Sequence, residues 1–200
     1  MWECIPGYNY YLMKKFFLPL LFCAFPFFAH SQDASVEQST YGIQSGLLGL
    51  WFHNETALSS EIALRSELGF DTGFWAGSFY EKTGFLMAPV ISLEPRWYYN
   101  LNKRQRKSRR TDGNSGNFLS LQTSYHPDWF VISNYEDIRI ISDISIIPTW
   151  GIRRHLGDHF TYETGIGVGY RYTFAKEAGY LENESDLALN LHLRIGYRFN

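Results

Sequence analysis

Few residues in this chain have the types and spacing that chemistry needs. Ser124 and His126 stand two apart with Asp128 close by. A nucleophile and a base on one strand face, near a rim, is an arrangement that acyl transfer can use. Pro127 lies between His126 and Asp128 and is expected to turn the chain. No Gly-x-Ser-x-Gly, His-Glu-x-x-His or phosphate-binding glycine loop accompanies the trio. His155 and His159 flank Leu156-Gly157-Asp158, where a metal would need two or three ligands to converge; a polar turn explains the same residues. The sequence is therefore read as having no catalytic residue, no metal and no cofactor. An enzyme modifying lipid at one rim stays open as the alternative.

The second kind of chemistry is charge pairing. Glu61, Glu67, Asp71, Glu94, Asp143 and Glu163 are nearly balanced by Arg65, Arg96, Arg139, Arg153, Arg171, Arg194 and Arg198, with almost no lysine among them. A planar guanidinium pairs bidentately with a carboxylate, so such a set suits a confined space. From it the sequence predicts a lumen charge network of Glu61, Arg65, Glu67, Glu94, Arg96, Asp143, Arg153, Glu163, Arg171 and Arg194. His192 is added as a hydrogen-bonding lumen residue. A third cluster is basic: Lys103, Arg104, Arg106, Lys107, Arg109 and Arg110 fall within eight residues. It reads as a solvated turn, or as a contact for anionic headgroups or a partner.

What positions these residues is a period of two. Over residues 187–199 every odd position is apolar: Leu187, Leu189, Leu191, Leu193, Ile195, Tyr197 and Phe199. The even positions are Ala188, Asn190, His192, Arg194, Gly196 and Arg198, so one face is apolar and the other polar. Residues 160–174 repeat the pattern, and 138–154, 85–99, 61–71 and 117–126 follow it more loosely. Residues 43–53 are apolar on both faces, which leaves their facing ambiguous. Residues 72–82, 127–137 and 175–186 read as loops, and Asp112-Gly113-Asn114-Ser115-Gly116 as a dense turn cluster. Pro89, Pro95 and Pro148 lie inside strand candidates and predict bulges or strand ends. No long amphipathic helix is visible.

Composition narrows the class. The 200 residues carry a formal net charge of -2, which gives no support to a nucleic-acid binder. The apolar content, 45%, is too high for disorder. Lys14 and Lys15 precede an uncharged run over residues 16–29, and Ala29-His30-Ser31 then gives a small-x-small pattern. That order predicts a signal peptide over residues 13–31, with residues 1–12 as a start-site artefact and 32–200 as one domain. Cys4 and Cys23 both precede the cleavage point, so the mature domain can form no disulfide and no thiolate site.

Two all-β options remain, a soluble sandwich or lipocalin-like carrier and a transmembrane barrel. Soluble strands usually place many Lys and Glu on the solvated face. Here the polar face is Gly, Ser, Thr, Glu and Arg, and the lysines Lys82, Lys103, Lys107 and Lys176 fall in turns. Aromatics gather at strand ends, as in Trp97-Tyr98-Tyr99, where interfacial girdles sit. The reading is an all-β, up-and-down antiparallel transmembrane β-barrel. Only seven segments are visible, whereas such barrels have an even strand count. Eight strands are expected, the eighth lying in 34–41, in 129–133, or in a split of 43–53. An eight-stranded barrel is narrow enough for side chains to fill it.

The leader, the alternation and the terminal Tyr197-Arg198-Phe199 resemble a small outer-membrane β-barrel protein of Gram-negative bacteria. In that family the terminal aromatic strand is read by the barrel-assembly machinery, which makes Tyr197 and Phe199 the implied assembly signal; here Asn200 follows it. Leu93-Glu94-Pro95-Arg96-Trp97-Tyr98-Tyr99-Asn100, His126-Pro127-Asp128-Trp129-Phe130 and Pro148-Thr149-Trp150-Gly151-Ile152-Arg153-Arg154 are similar to the uncharacterised barrel proteins of Bacteroidetes-type bacteria. The resemblance implies location in the cell outer membrane, with outer-membrane lipids and the assembly machinery as partners. It names no activity and no ligand. If Phe199 ends in the periplasm, counting strands back puts the basic turn there too. The opposite loops then carry Asp128, Glu136, Asp137, Glu177, Glu182, Glu184 and Asp186.

Overall fold

The computed structural model describes residues 34–77 and 82–199. The predicted leader 13–31, the segment 1–12 and Asn200 lie outside the described residues. The strands are β1 (Ser39–Gly46), β2 (Gly49–Ala57), β3 (Ile62–Trp75), β4 (Gly84–Trp97), β5 (Asn117–His126), β6 (Ile132–Ser133), β7 (Asp143–Leu156), β8 (Phe160–Thr173) and β9 (Glu184–Arg198). All pairings are antiparallel. Eight strands form a closed wall in the order β1, β2, β3, β4, β5, β7, β8, β9, and β9 returns to pair with β1. The two-residue β6 is added beside the start of β4, through Leu86↔Ser133 and Met87↔Ile132.

The eighth strand comes from the ambiguous segment. Residues 43–53 split at Leu47-Leu48 into a tight hairpin between β1 and β2, closed by the Gly46↔Gly49 pair. The split explains the double apolar appearance, because the turn breaks the phase of the alternation. Residues 129–133 give only β6. Strands reach further into the expected loop 72–82, to Trp75, and start later than expected after residue 138, at Asp143. A six-residue helix, α1 (Leu101–Arg106), forms within the basic turn.

The prolines produce no bulge. Ladder pairs between β4 and β5 are missing at Glu94 and Pro95 but resume in the same register at Arg96↔Ser120. Those between β7 and β8 lapse at Ile147 and Pro148 and resume unshifted at Thr149↔Gly167. A missing N–H costs a ladder bond, and the second neighbour of each strand holds the register.

The row of paired residues that begins at Ile43 passes through Phe52, Leu68, Ile91, Tyr125, Ile144 and Tyr172 and reaches β9 at Ser185. Ile43 itself closes on Tyr197. The stagger around the barrel is thus about twelve residues, so the strands are steeply tilted; the narrow bore follows from the strand number, eight.

Both described chain ends lie at one mouth of the barrel, here called proximal. The connections 58–61, 98–116 and 157–159 share that mouth, and 47–48, 127–142 and 174–183 occupy the distal one. Gly157 turns β7 into β8 with φ +65, a conformation that a Cβ disfavours. The buried apolar residues Ala34, Val36, Ala63, Tyr98, Leu101 and Phe118 pack as one cluster at the proximal mouth. This cluster is small because the period-two faces are inverted relative to a soluble protein. Leu187, Leu189 and Leu191 are 73%, 70% and 71% exposed, while Arg65, Arg96 and Arg153 are 0% exposed.

Candidate functional site

The interior is built from the inward positions of every wall strand. At its centre four carboxylates meet four guanidiniums: Glu55, Glu67, Glu94 and Glu163 with Arg65, Arg96, Arg153 and Arg194. Arg96 (β4) donates to both oxygens of Glu163 (β8), at 2.9 and 2.8 Å, and to Glu94 at 2.7 Å. Arg65 (β3) donates to Glu67 at 2.5 Å and to Gln44 at 2.6 Å. Arg153 (β7) reaches Glu55 (β2) at 2.7 Å, and Arg194 (β9) reaches Glu67 at 2.8 and 3.1 Å. Two of the guanidiniums also stack on aromatic rings, Arg96 4.2 Å from the Phe118 centroid and Arg194 4.0 Å from that of Trp51. The formal charges sum to zero, the arrangement in which burial of so many ions is tolerable.

Neutral donors complete the carboxylates. Tyr98 and Asn114 donate to the same Glu55 oxygen, at 2.8 and 2.6 Å, and Ser120 donates to Glu94 at 2.6 Å. Tyr98 is fully buried and points inward, so it is no part of an outer girdle as its place in Trp97-Tyr98-Tyr99 had suggested. The glycines of β8 make room on the inner face. A Cβ at Gly165 would come within 2.5 Å of the His192 ring, and one at Gly169 would overlap the Ile146 carbonyl oxygen.

The predicted charge network divides into three places. Arg65, Glu67, Glu94, Arg96, Arg153, Glu163 and Arg194 form the central cluster, and His192 borders it with Nε2 3.5 Å from Glu163. Asp143 and Arg171 sit higher, at the distal mouth, with Arg171 Nε 3.5 Å from Asp143. Glu61 is not in the lumen. Strand β3 begins at Ile62, so the alternation stops short of it; Glu61 instead accepts from the Trp97 indole at 3.1 Å and from Asn102 at 3.4 Å on the proximal rim. Arg139 stands exposed in the distal connection, and Arg198 pairs with Glu37 at the proximal mouth. Gln44, His53 and Glu55 were missed. Their signal was the alternation of Trp51, His53 and Glu55 against Leu50, Phe52 and Asn54, hidden because the segment was read only to His53.

Above the central cluster a cavity of about 350 Å³ opens toward the distal mouth, with Asp71, His126, Asp143, Arg171, His192 and Arg194 among its walls. His126 bridges two carboxylates, Nε2 to Asp71 at 3.0 Å and Nδ1 to Asp143 at 3.1 Å. The imidazolium form donates to both. Asp71 also accepts from the Trp51 indole at 2.8 Å. Ser124 is 2.8 Å from Ser92 Oγ, so in this geometry Ser124 pairs with a serine and both nitrogens of His126 are engaged by aspartates. Asp128 lies in the distal connection. His155 and His159 do not converge: His155 Nδ1 lies 3.8 Å from Asp112, and His159 stacks on Tyr197. Among the described residues no group of His, Cys, Asp and Glu is arranged to hold a metal ion.

The outer surface is banded. Aromatics ring the proximal end, with Trp97 against Tyr99, Phe160 against Tyr197, Tyr197 against Phe199 and Phe199 against Phe52. The predicted assembly residues Tyr197 and Phe199 belong to this band and face outward. Aliphatic residues fill the middle, and Tyr172 with Phe174 and Phe70 with Phe130 mark the distal end. Charge differs between the ends, although Arg139 and Lys176 are also distal and Glu61, Asp112 and Asp158 also proximal. All six basic residues from Lys103 to Arg110 are proximal, and Asp128, Glu136, Asp137, Glu177 and Glu182 are distal.

Comparison with protein-family models, curated proteins and solved structures finds no match for this chain.

Proposed function

We propose that this chain is a small outer-membrane β-barrel protein, exported by the leader over residues 13–31. Its salt-bridged interior acts as a plug and not a pore, and its role is structural, adhesive or ligand-binding through the distal loops. The reading is non-enzymatic. One observation carries it: the closed barrel wears its leucines outside and its charges inside. A lone Leu on a surface is ordinary. A continuous aliphatic belt between two aromatic bands is what a bilayer flanked by its interfaces accommodates. The resemblance to small Gram-negative barrels, in particular those of Bacteroidetes-type bacteria, agrees with it. So does the outward placement of Tyr197 and Phe199, which the assembly machinery would read.

Cell fractionation tests the proposal. The full chain is expected in the membrane fraction, extractable only with detergent, and migrating differently on gels with and without boiling. Leu191→Arg, at the middle of the exposed belt, is expected to cost about 2–4 kcal/mol of insertion. Purified protein in planar bilayers is expected to show no steady conductance. Recovery of a monodisperse chain without detergent overturns the membrane reading, and stable ion conductance overturns the plug.

A further inference from the structure

A second concavity lies at the proximal rim, outside the barrel interior. It measures about 420 Å³ and is enclosed by Tyr99 and Asn100 after β4, α1 and its following loop, the start of β5 and the end of β7. Its cations are Lys103, Arg104, Lys107, Arg109 and Arg154, with the ring of Tyr99 at the edge. No carboxylate lines it among the described residues. The distribution of pairing within the basic loop is uneven. Arg110 is neutralised by Asp112 at 2.7 Å and reaches Asp158 at 3.4 Å. Arg104 donates to a backbone oxygen, that of Arg110, at 2.8 and 3.1 Å, and among the described residues it has no carboxylate within salt-bridge distance. Arg154 is held by the Gly116 carbonyl at 2.7 Å and the Asn117 side chain at 2.5 Å. These neutral acceptors fix the guanidiniums in place without discharging them. Partial burial, and then the neighbouring Arg109, lower the pKa of Arg104, as expected of cations crowded together without a counter-charge.

Position supplies the second half of the inference. Tyr99 is linked to the outer wall by the Trp150 indole, which donates to its hydroxyl at 2.9 Å, and it packs against Trp97 at 5.9 Å. The cleft therefore opens at the height of the proximal aromatic band, where headgroups lie if the barrel spans a bilayer. We propose that this cleft binds a phosphate group, and that the phosphate is the headgroup of an anionic phospholipid in the proximal leaflet. Planar guanidiniums and point-charged lysines together match a phosphate's oxygens, and the aromatic edge accommodates the adjoining glycerol and acyl carbons. The source of the phosphate rests on the membrane reading above; the phosphate chemistry of the cleft does not.

The test is native mass spectrometry of the full chain in detergent micelles, offered equal amounts of phosphatidylglycerol and phosphatidylcholine, with inorganic phosphate as a separate arm. Phosphatidylglycerol adducts are expected to predominate. Arg104→Gln with Arg109→Gln is expected to weaken them by about tenfold or more, because charge-assisted hydrogen bonds are lost along with charge. Arg106 belongs to the same loop but does not line the cleft. Arg106→Gln is expected to change adduct formation by less than about twofold. All three side chains lie outside the barrel interior, and boiling-dependent gel migration checks that each variant folds. An Arg106 loss as large as the loss per charge removed in the cleft variant, half of the double variant's on a logarithmic scale, overturns the proposal in favour of diffuse surface charge. Displacement of the lipid by inorganic phosphate at millimolar concentration overturns the lipid assignment. A chain that needs no detergent overturns the membrane reading and the lipid source with it, whereas a detergent-requiring chain with no lipid preference overturns only the cleft.

Discussion

Glu163 is the residue on which the interior can be tested most sharply. It accepts two hydrogen bonds from Arg96, lies 3.7 Å from Arg65 and 3.5 Å from His192, and has no exposed surface. Glu163→Gln keeps its shape and one acceptor but removes the negative charge. Four buried guanidiniums would then face three carboxylates, and the new amide N–H group would meet a donor of Arg96 or turn away from it. Breaking a buried pair by removing one partner costs about 3–5 kcal/mol. With a urea dependence of about 2 kcal/mol per M, the unfolding midpoint should fall by about 2 M. The assay is urea unfolding in detergent micelles followed by tryptophan fluorescence, with refolding curves to establish reversibility. Arg96→Met removes the opposite charge. The double variant should restore neutrality and lose less than the sum of the singles by about 2–3 kcal/mol. A single-variant loss under about 0.5 kcal/mol, or strict additivity, would refute the picture of a desolvated, mutually dependent charge cluster.

Other perturbations read other parts of the structure. Gly169→Ala puts a Cβ against the Ile146 carbonyl oxygen and the Ile147 Cα, and should cost about 1–3 kcal/mol in the same assay; no change would mean that β7 and β8 pack less closely than described. Burial and the adjacent Glu55 push the Tyr98 phenol above the ordinary tyrosine range, so its proton is held more tightly folded than unfolded. Stability should therefore hold below about pH 10 and decline above it, and Tyr98→Phe should flatten that decline while costing about 1–2 kcal/mol at neutral pH. His126→Phe leaves Asp71 and Asp143 facing the distal cavity without their shared donor, and should lower stability by about 1–3 kcal/mol. Adding Asp143→Asn to it should recover part of the loss, and a further loss would argue against the bridge.

The strands were legible because their period is set by backbone geometry. Leu187 to Phe199 could be assigned to alternate faces from residue type alone, and the structure places them so. The hairpin at Leu47-Leu48 was hidden for the opposite reason. A two-residue turn carries no dense turn signal when its residues are apolar, and Gly46 and Gly49 sit inside an apolar stretch. Losing that turn also concealed Glu55, one of the most connected carboxylates. Parity assigns a face but not a depth. Arg171 and Arg153 share the same inward alternation, yet one lies at the mouth, 46% exposed, and the other at the centre. Depth follows from the stagger of the strands, a closed-barrel property that no single segment encodes. Glu61 shows the limit of extrapolating a phase past a strand end. The bridge from His126 to Asp71 and Asp143 joins β5, β3 and β7, and its partners are 55 and 17 residues away.

Three of the central ion pairs connect strands that are not neighbours in the wall. Arg96 on β4 meets Glu163 on β8, Arg153 on β7 meets Glu55 on β2, and Arg194 on β9 meets Glu67 on β3. Ladder hydrogen bonds alone would tolerate a slip, since a strand shifted by one residue still finds donors and acceptors. Such a slip turns every side chain to the other face. In this barrel it would send arginines outward and leucines into a bore filled by carboxylates. A slip of two keeps the faces but moves a guanidinium about 7 Å along its strand, beyond reach of its carboxylate. The cross-bore pairs thus discriminate against the shift that the alternation leaves possible. Net stabilisation from buried pairs is modest, because desolvation offsets much of the Coulomb attraction. The physical role that best fits their placement is to select one stagger among several, with the hydrophobic contribution left to the outer belt. On that account, substituting both members of one cross-bore pair by apolar residues should cost less than removing either member alone. It should also broaden the population of registers, seen as extra amide resonances along β4 and β8 when Arg96 and Glu163 are the pair replaced.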